Sequence, residues 1–151
     1  RFAVEGTSSY PDATFTLRLA FGPVIGYEQD GQQIPAWTTI GGAFTHEQQH
    51  QGQADYVLPA SWKTAADKLT KSTPFNFVST ADIIGGNSGS PVVNRAGELV
   101  GLIFDGNVQS LSGNYVYTDK QARSVSVHSS AIREALQTVY GADGIVKELG
   151  K

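Results

Sequence analysis

Gly85-Gly86-Asn87-Ser88-Gly89-Ser90-Pro91-Val92 is the stretch that decides how this chain reads. Small residues on both sides of Ser88 let the backbone turn sharply and let a carbonyl group come close to the hydroxyl. The N–H groups of Gly86 and Ser88 can then converge as a donor pair for the oxyanion of an acyl-transfer transition state. Directly downstream come apolar Val92-Val93, the turn Asn94-Arg95-Ala96-Gly97, and the strand-like Leu99-Val100-Gly101-Leu102-Ile103-Phe104. A Gly/Ser-rich loop alone is only a loop. With an apolar hairpin behind it, the same loop presents a nucleophilic serine on the rim of a β-barrel.

A serine nucleophile also needs a histidine within hydrogen-bond reach, oriented by a buried carboxylate. In trypsin-like double barrels both come from the barrel that precedes the serine. This chain holds His46, His50 and His128. None stands in the Ala-Ala-His-Cys-like setting, at the end of an apolar strand, that such a base occupies. His128 follows the serine at the start of a terminal helix, where a surface or capping role is ordinary. The chain contains no methionine and begins with Arg1. It is therefore expected to be a fragment or a processed product, carrying half of an active site.

The bulk properties set limits. There are 151 residues, enough for one ordinary domain or two very compact barrels. Forty per cent apolar residues, 17 glycines and a formal charge of −3 describe a turn-rich globular chain without the basic patch that nucleic-acid binding needs. No apolar run approaches the ~18 residues of a membrane span. The absence of cysteine excludes disulfides, thiol catalysis and thiolate metal sites.

Along the chain, residues 1–10 read as an irregular lead-in. Thr14 to Phe21 alternates like a half-buried strand, Gly22-Pro23 breaks it, and Val24 to Tyr27 resumes as a second strand. Asp30-Gly31 marks a tight turn. Residues 41–55 are polar, rich in Gly and Gln, and read as a loop. Ser61 to Leu69 is a short helix with Ser61 as N-cap. Phe75 to Ser79, Tyr115 to Tyr117 and Ser124 to Val127 are strand candidates. Ser129 or Ser130 caps a helix over Ala131 to Tyr140, Gly141 ends it, and Asp143 to Leu149 makes a shorter helical turn. The expected fold is mainly β: an antiparallel trypsin-like barrel over 1–128, the second of a double-barrel enzyme, with a helical segment over 129–151 packed on it.

A competing motif is His46-Glu47-Gln48-Gln49-His50, which satisfies H-E-x-x-H, the zinc-peptidase pattern with two imidazoles on one helix face and the Glu as base. Gly41-Gly42 before it, Gly52 after it and the lack of an apolar stripe argue for a solvated loop. The extended form of the motif needs Gly at 53 and His at 56, where Gln53 and Tyr56 stand. Zinc catalysis through His46, Glu47 and His50 is the remote alternative, adventitious metal binding there is the less remote one, and no functional metal or cofactor is expected.

Several segments together carry a resemblance: Pro11 to Arg18, Thr38-Thr39, Thr73 to Ile83, Gly85 to Val92 and Gly101 to Asn107. In order and spacing they resemble the bacterial dipeptidyl-peptidase 7 and 11 type of serine exopeptidase, from about residue 11 to the C-terminus. That resemblance implies a polypeptide several times longer, a double barrel with a large inserted helical domain, and removal of dipeptides from free N-termini in the periplasm or at the cell surface. It further implies that the catalytic His and Asp lie in the missing upstream part, that the isolated chain is inert, and that the enzyme forms a homodimer.

Residue by residue, the resemblance makes Ser88 the nucleophile and Gly86 an oxyanion donor through its N–H. Asp105 matches the acid that pairs with the substrate's free α-amine, against the plainer reading of a turn carboxylate capping Gly106-Asn107. Gly106 matches the position where acid-specific members carry Arg, which implies a neutral, roomy pocket and an apolar or broad preference. Asp82, six residues before Ser88, stands where trypsin keeps its Arg/Lys-binding carboxylate, but a structural strand-end role fits it better. Asn87 cannot make the buried ion pair of zymogen activation. The non-enzymatic alternative is a trypsin-like barrel that has lost its triad and serves as a binding module.

Overall fold

Three strands rich in apolar and small residues form the centre of the protein: β4 (Pro74–Ser79), β6 (Leu99–Gly106) and β7 (Ser124–His128). The computed structural model describes residues 17–51 and 53–150. Two shorter strands, β3 (Trp37–Thr39) and β5 (Pro91–Val93), complete a five-stranded antiparallel sheet in the order β3-β4-β7-β6-β5. A separate hairpin pairs β1 (Tyr27–Gln29) with β2 (Gln32–Ile34) across Asp30-Gly31. Both turn residues have positive φ, 51° and 76°, the type I′ geometry that matches strand twist. The architecture is mainly β and antiparallel and ends in helices, as expected.

The inner face of β7 carries serines rather than valines. Ser79, Ser124 and Ser126 are buried. The Ser79 and Ser124 hydroxyls lie 2.7 Å apart, and Ser124 Oγ donates to the Ser79 carbonyl. Buried hydroxyls are tolerated when they bond one another in this way.

Residues 41–55 are not a loop. Helix α1 (Ile40–Gln49) occupies most of that stretch. Thr39 Oγ1 caps it by accepting from Gly42 N–H, and Ile40, fully buried, anchors its first turn. Ile40 and Phe44 form a two-residue apolar stripe, packed with Ala65, Leu69, Trp62, Phe75 and Val139. The Gly41-Gly42 pair misled the sequence reading. Gly41 suits the close passage of the chain at Lys71: Gly41 N–H donates to Lys71 O at 2.8 Å, and a Cβ would stand a tight 3.0 Å from that oxygen.

Other boundaries also differ from expectation. The helix read over Ser61 to Leu69 is α2 (Ala60–Thr64), entered from Pro59 without a side-chain cap and followed by turns to Leu69. Residues 17–21 form no strand, and residues 14–16 and the lead-in over 1–10 lie outside the described residues. Val24 makes a single antiparallel bridge to Ser79. Tyr115 to Tyr117 follow the 3₁₀ segment Val108–Asn114 and join no sheet. The terminal helix begins earlier than read, as α3 (Ser129–Glu134), and continues as a π-helical turn over Ala135–Val139. Its N-cap is His128, not a serine: His128 Nδ1 accepts from Ser130 N–H at 3.1 Å. Gly141, at φ 61°, ends it, and α4 (Asp143–Leu149) follows. No described helix is long and apolar enough to cross a membrane.

Candidate active site

The loop between β4 and β5 is braced by Asn87. Its side-chain oxygen accepts from Ile84 N–H at 3.0 Å, its own N–H donates to Ile84 O, and its carbonyl accepts from Ser90 N–H. The loop is docked on β6 by Gly89 N–H to Ile103 O at 2.7 Å and by Ile103 N–H to Ser90 O at 3.1 Å. Gly86 and Gly89 take φ of 99° and 85°, which a side chain would oppose. Ser88 is thereby held exposed at the crest of the turn, and its hydroxyl donates to Phe104 O at 3.3 Å. Among the described residues, the N–H groups of Gly86 and Ser88 have no hydrogen-bond acceptor.

No imidazole accompanies Ser88. His46 and His50 lie on α1 against Tyr56. His128 caps α3 and packs edge-on against Phe77, and burial holds its imidazole below the ordinary histidine range. Glu47 of the H-E-x-x-H stretch is engaged elsewhere. Its Oε1 lies 2.7 Å from Lys63 Nζ and accepts from Leu58 N–H. The hydrogen bond from Lys63 is the main reason its carboxyl sits below the usual range. A carboxylate so occupied is not poised as a base for a zinc-bound water.

Phe104, Asp105 and Gly106 run past the serine. The pairing of β6 with β7 skips Phe104, passing from Ile103↔Ser126 to Asp105↔Val125. Such bulges re-aim a strand and are common beside active sites. Asp105 is exposed, and its Oδ1 accepts from Gly106 N–H at 2.8 Å. The capping role weighed for this carboxylate is therefore made in part, and its other oxygen has no hydrogen-bond partner among the described residues. The space beside Gly106 is not open: a Cβ there would fall on Ser110 Oγ, which is fixed by donating to Asn107 O. Asp82 lies beyond the end of β4, in the wall of a cleft of about 20 Å³ with Ser110, Tyr117 and Arg123.

Two residues hold this wall together: Asn107, whose segment the sequence singles out without this role, and Arg123, which is silent in the sequence. Asn107 donates through Nδ2 to Gln121 O and accepts at Oδ1 from Arg123 N–H, both at 2.8 Å. Arg123 is 5% exposed, and among the described residues its guanidinium donates only to main-chain carbonyls: Nε to Ile25, Nη1 to Asp119 and Ala122, Nη2 to Gly26. It stands over the Tyr27 ring at 5.6 Å. An arginine in a polar loop carries no pattern that announces a buried clamp.

The comparisons with known proteins agree with this arrangement. The dipeptidyl-peptidase 7 of Phocaeicola vulgatus is 34% identical over 148 residues, covering 92% of this chain and 20% of that relative. The Asp/Glu-specific dipeptidyl-peptidase of Shewanella putrefaciens is 32% identical over 171 residues, covering 93% and 23%. The crystal structure of Porphyromonas endodontalis DPP11 in complex with the dipeptide Arg-Asp matches with a TM-score of 0.83 at 29% identity, over 98% of this chain and 22% of that one. The chain thus spans about a fifth of the length of the relatives it matches. A sequence profile of one family, Peptidase S46, matches residues 1–151. With the serine turn, the antiparallel sheet behind it and these relatives in agreement, the chain belongs to the Peptidase S46 family.

Proposed function

We propose that this chain is the nucleophile-bearing C-terminal part of a serine-type dipeptidyl-peptidase, acting in the periplasm or at the cell surface on peptides with free N-termini. The observation that carries the reading is an exposed Ser88 hydroxyl on a glycine-framed turn, beside two main-chain N–H groups with no acceptor among the described residues.

Ser88 Oγ adds to the scissile carbonyl carbon while its proton passes to an imidazole supplied by the upstream part of the polypeptide. The N–H groups of Gly86 and Ser88 hold the resulting oxyanion. Collapse expels the leaving amine, which takes that proton, and water then hydrolyses the acyl-enzyme to release the dipeptide. Asp105 receives the substrate α-ammonium on the carboxylate oxygen that Gly106 does not hold, a charge-assisted contact that selects a free terminus. Gly106 lines the specificity pocket without adding charge, which supports apolar or broad preference over acidic preference. Exposed Val108, Leu111, Tyr115 and Val116 are surface for the upstream domains to cover.

The test is hydrolysis of fluorogenic dipeptides with free and blocked N-termini by the full polypeptide, its Ser88→Ala variant and the isolated chain. Cleavage of free N-termini by the unmutated full polypeptide alone is the expected result. Activity that survives Ser88→Ala would refute the nucleophile, and a silent full polypeptide would leave a binding module in place of an enzyme.

A further inference from the structure

The end of α1 gathers three rings that the proposed peptidase chemistry does not use. His46 and His50 stand four residues apart, one on the last turn and one at the C-cap, and their ring centres are 4.4 Å apart. Tyr56, from the 3₁₀ turn Ala54–Tyr56, stacks on His50 at 3.9 Å and meets His46 edge-on at 5.1 Å. His50 Nδ1 lies 2.9 Å from the His46 carbonyl oxygen. A carbonyl only accepts, so the proton of that contact is on Nδ1, and Nε2 of the neutral ring keeps its lone pair. A main-chain carbonyl bonded to one ring nitrogen is the partner that orients metal-ligating imidazoles.

The spacing fits a shared ion. A ring nitrogen about 2.1 Å from a metal puts the ring centre about 3.2 Å from it, so two rings in cis positions lie about 4.5 to 5.2 Å apart. The observed separation of 4.4 Å lies just below that range, so a small outward turn of one ring brings the pair into it. Both residues sit at the carbonyl end of the helix, where the aligned peptide dipoles favour a cation.

We propose that His46 and His50 form a two-histidine binding site for a borderline divalent cation such as Zn²⁺ or Ni²⁺, with water in the remaining positions. Among the described residues no cluster of three His, Cys, Asp or Glu side chains could hold a metal, and Glu47 is turned to Lys63 and Leu58. The site therefore binds without the base that hydrolysis requires. Imidazole selects Zn²⁺, Ni²⁺ or Cu²⁺ over the hard cations Mg²⁺ and Ca²⁺.

Calorimetric titration of the full chain with Ni²⁺ and with Zn²⁺ tests this. One ion per chain is expected, with binding weakened at least about tenfold by His46→Ala or by His50→Ala and abolished by the pair. His128→Asn should leave binding unchanged, and Mg²⁺ should not compete. Electron paramagnetic resonance of the Cu²⁺ complex should show two imidazole nitrogens on the metal. Circular dichroism checks that the variants fold, with His46→Gln and His50→Gln in reserve. The proposal is overturned by the absence of saturable binding, by binding that survives the double variant, or by equal binding of Mg²⁺.

Discussion

Ser88 donates its hydroxyl to the carbonyl of Phe104, the residue that the pairing of β6 with β7 skips. The Ser88 hydroxyl is thus referenced to the strand that carries Asp105 and Gly106, so the proposed nucleophile and the proposed substrate wall are set by one irregularity in one strand. If Asp105 receives the α-ammonium, Asp105→Asn in the full polypeptide should lower kcat/KM for free N-termini by about 10- to 100-fold, the weight of a hydrogen bond to a charged group. Peptides with blocked N-termini should lose much less. Equal losses on both would remove Asp105 from substrate recognition.

Gly106→Ala drives a methyl into Ser110 Oγ. Overpacking of this kind costs about 1 to 3 kcal/mol, read as a lower urea midpoint. Removing the obstacle in Gly106→Ala/Ser110→Gly should recover most of it, a coupling that a double-mutant cycle measures. Purely additive losses would show that the two residues do not meet.

Arg123→Met leaves the carbonyls of Ile25, Gly26, Asp119 and Ala122 without their donor. The expected cost is about 2 kcal/mol or more. Arg123→Lys should recover little of it, because one ammonium cannot span the four acceptors of a planar fork. A lysine variant as stable as the parent in urea would mean that charge alone holds the wall.

His128 gives a pH dependence of known sign. Burial lowers its folded-state value below the ordinary 6.5, so the folded state favours the neutral ring that caps Ser130. Its stabilising contribution is fully present above the unfolded value and is lost as pH falls through the lowered folded one. Below about pH 6.5 the thermal midpoint of the parent should drop faster than that of His128→Asn, which caps without titrating. Parallel curves would refute it.

What was legible in the sequence was local. Gly85 to Val92 and the hairpin after it announce themselves because their neighbours in sequence are their partners in space; the strands at 75–79 and 124–127 show in composition alone, since they pair with each other across a long stretch of chain. Helix α1 was misread because two glycines near its start outweighed Ile40 and Phe44, and the reason for Gly41 lies thirty residues away at Lys71. The sequence points to Ser129 or Ser130 as the cap and not to His128, since imidazole caps are rarer than hydroxyl caps. Arg123 and Ser110 were invisible because their partners are carbonyls and a glycine, which leave no complementary pattern in the chain.

The long reach of Arg123 also bears on the order of folding. Its bonds to Ile25 and Gly26 close loops of 98 and 97 residues, whereas β5 and β6 meet across a short turn. Loop-closure entropy defers contacts of that span until the sheet can anchor them. The serine turn is therefore expected to be in place before the wall held by Arg123. In pulse-labelled hydrogen exchange during refolding, the amide of Ile103 should gain protection ahead of that of Arg123, and the opposite order would reverse the sequence of assembly. On the proposed function, selectivity would then be the last property this chain acquires as it folds.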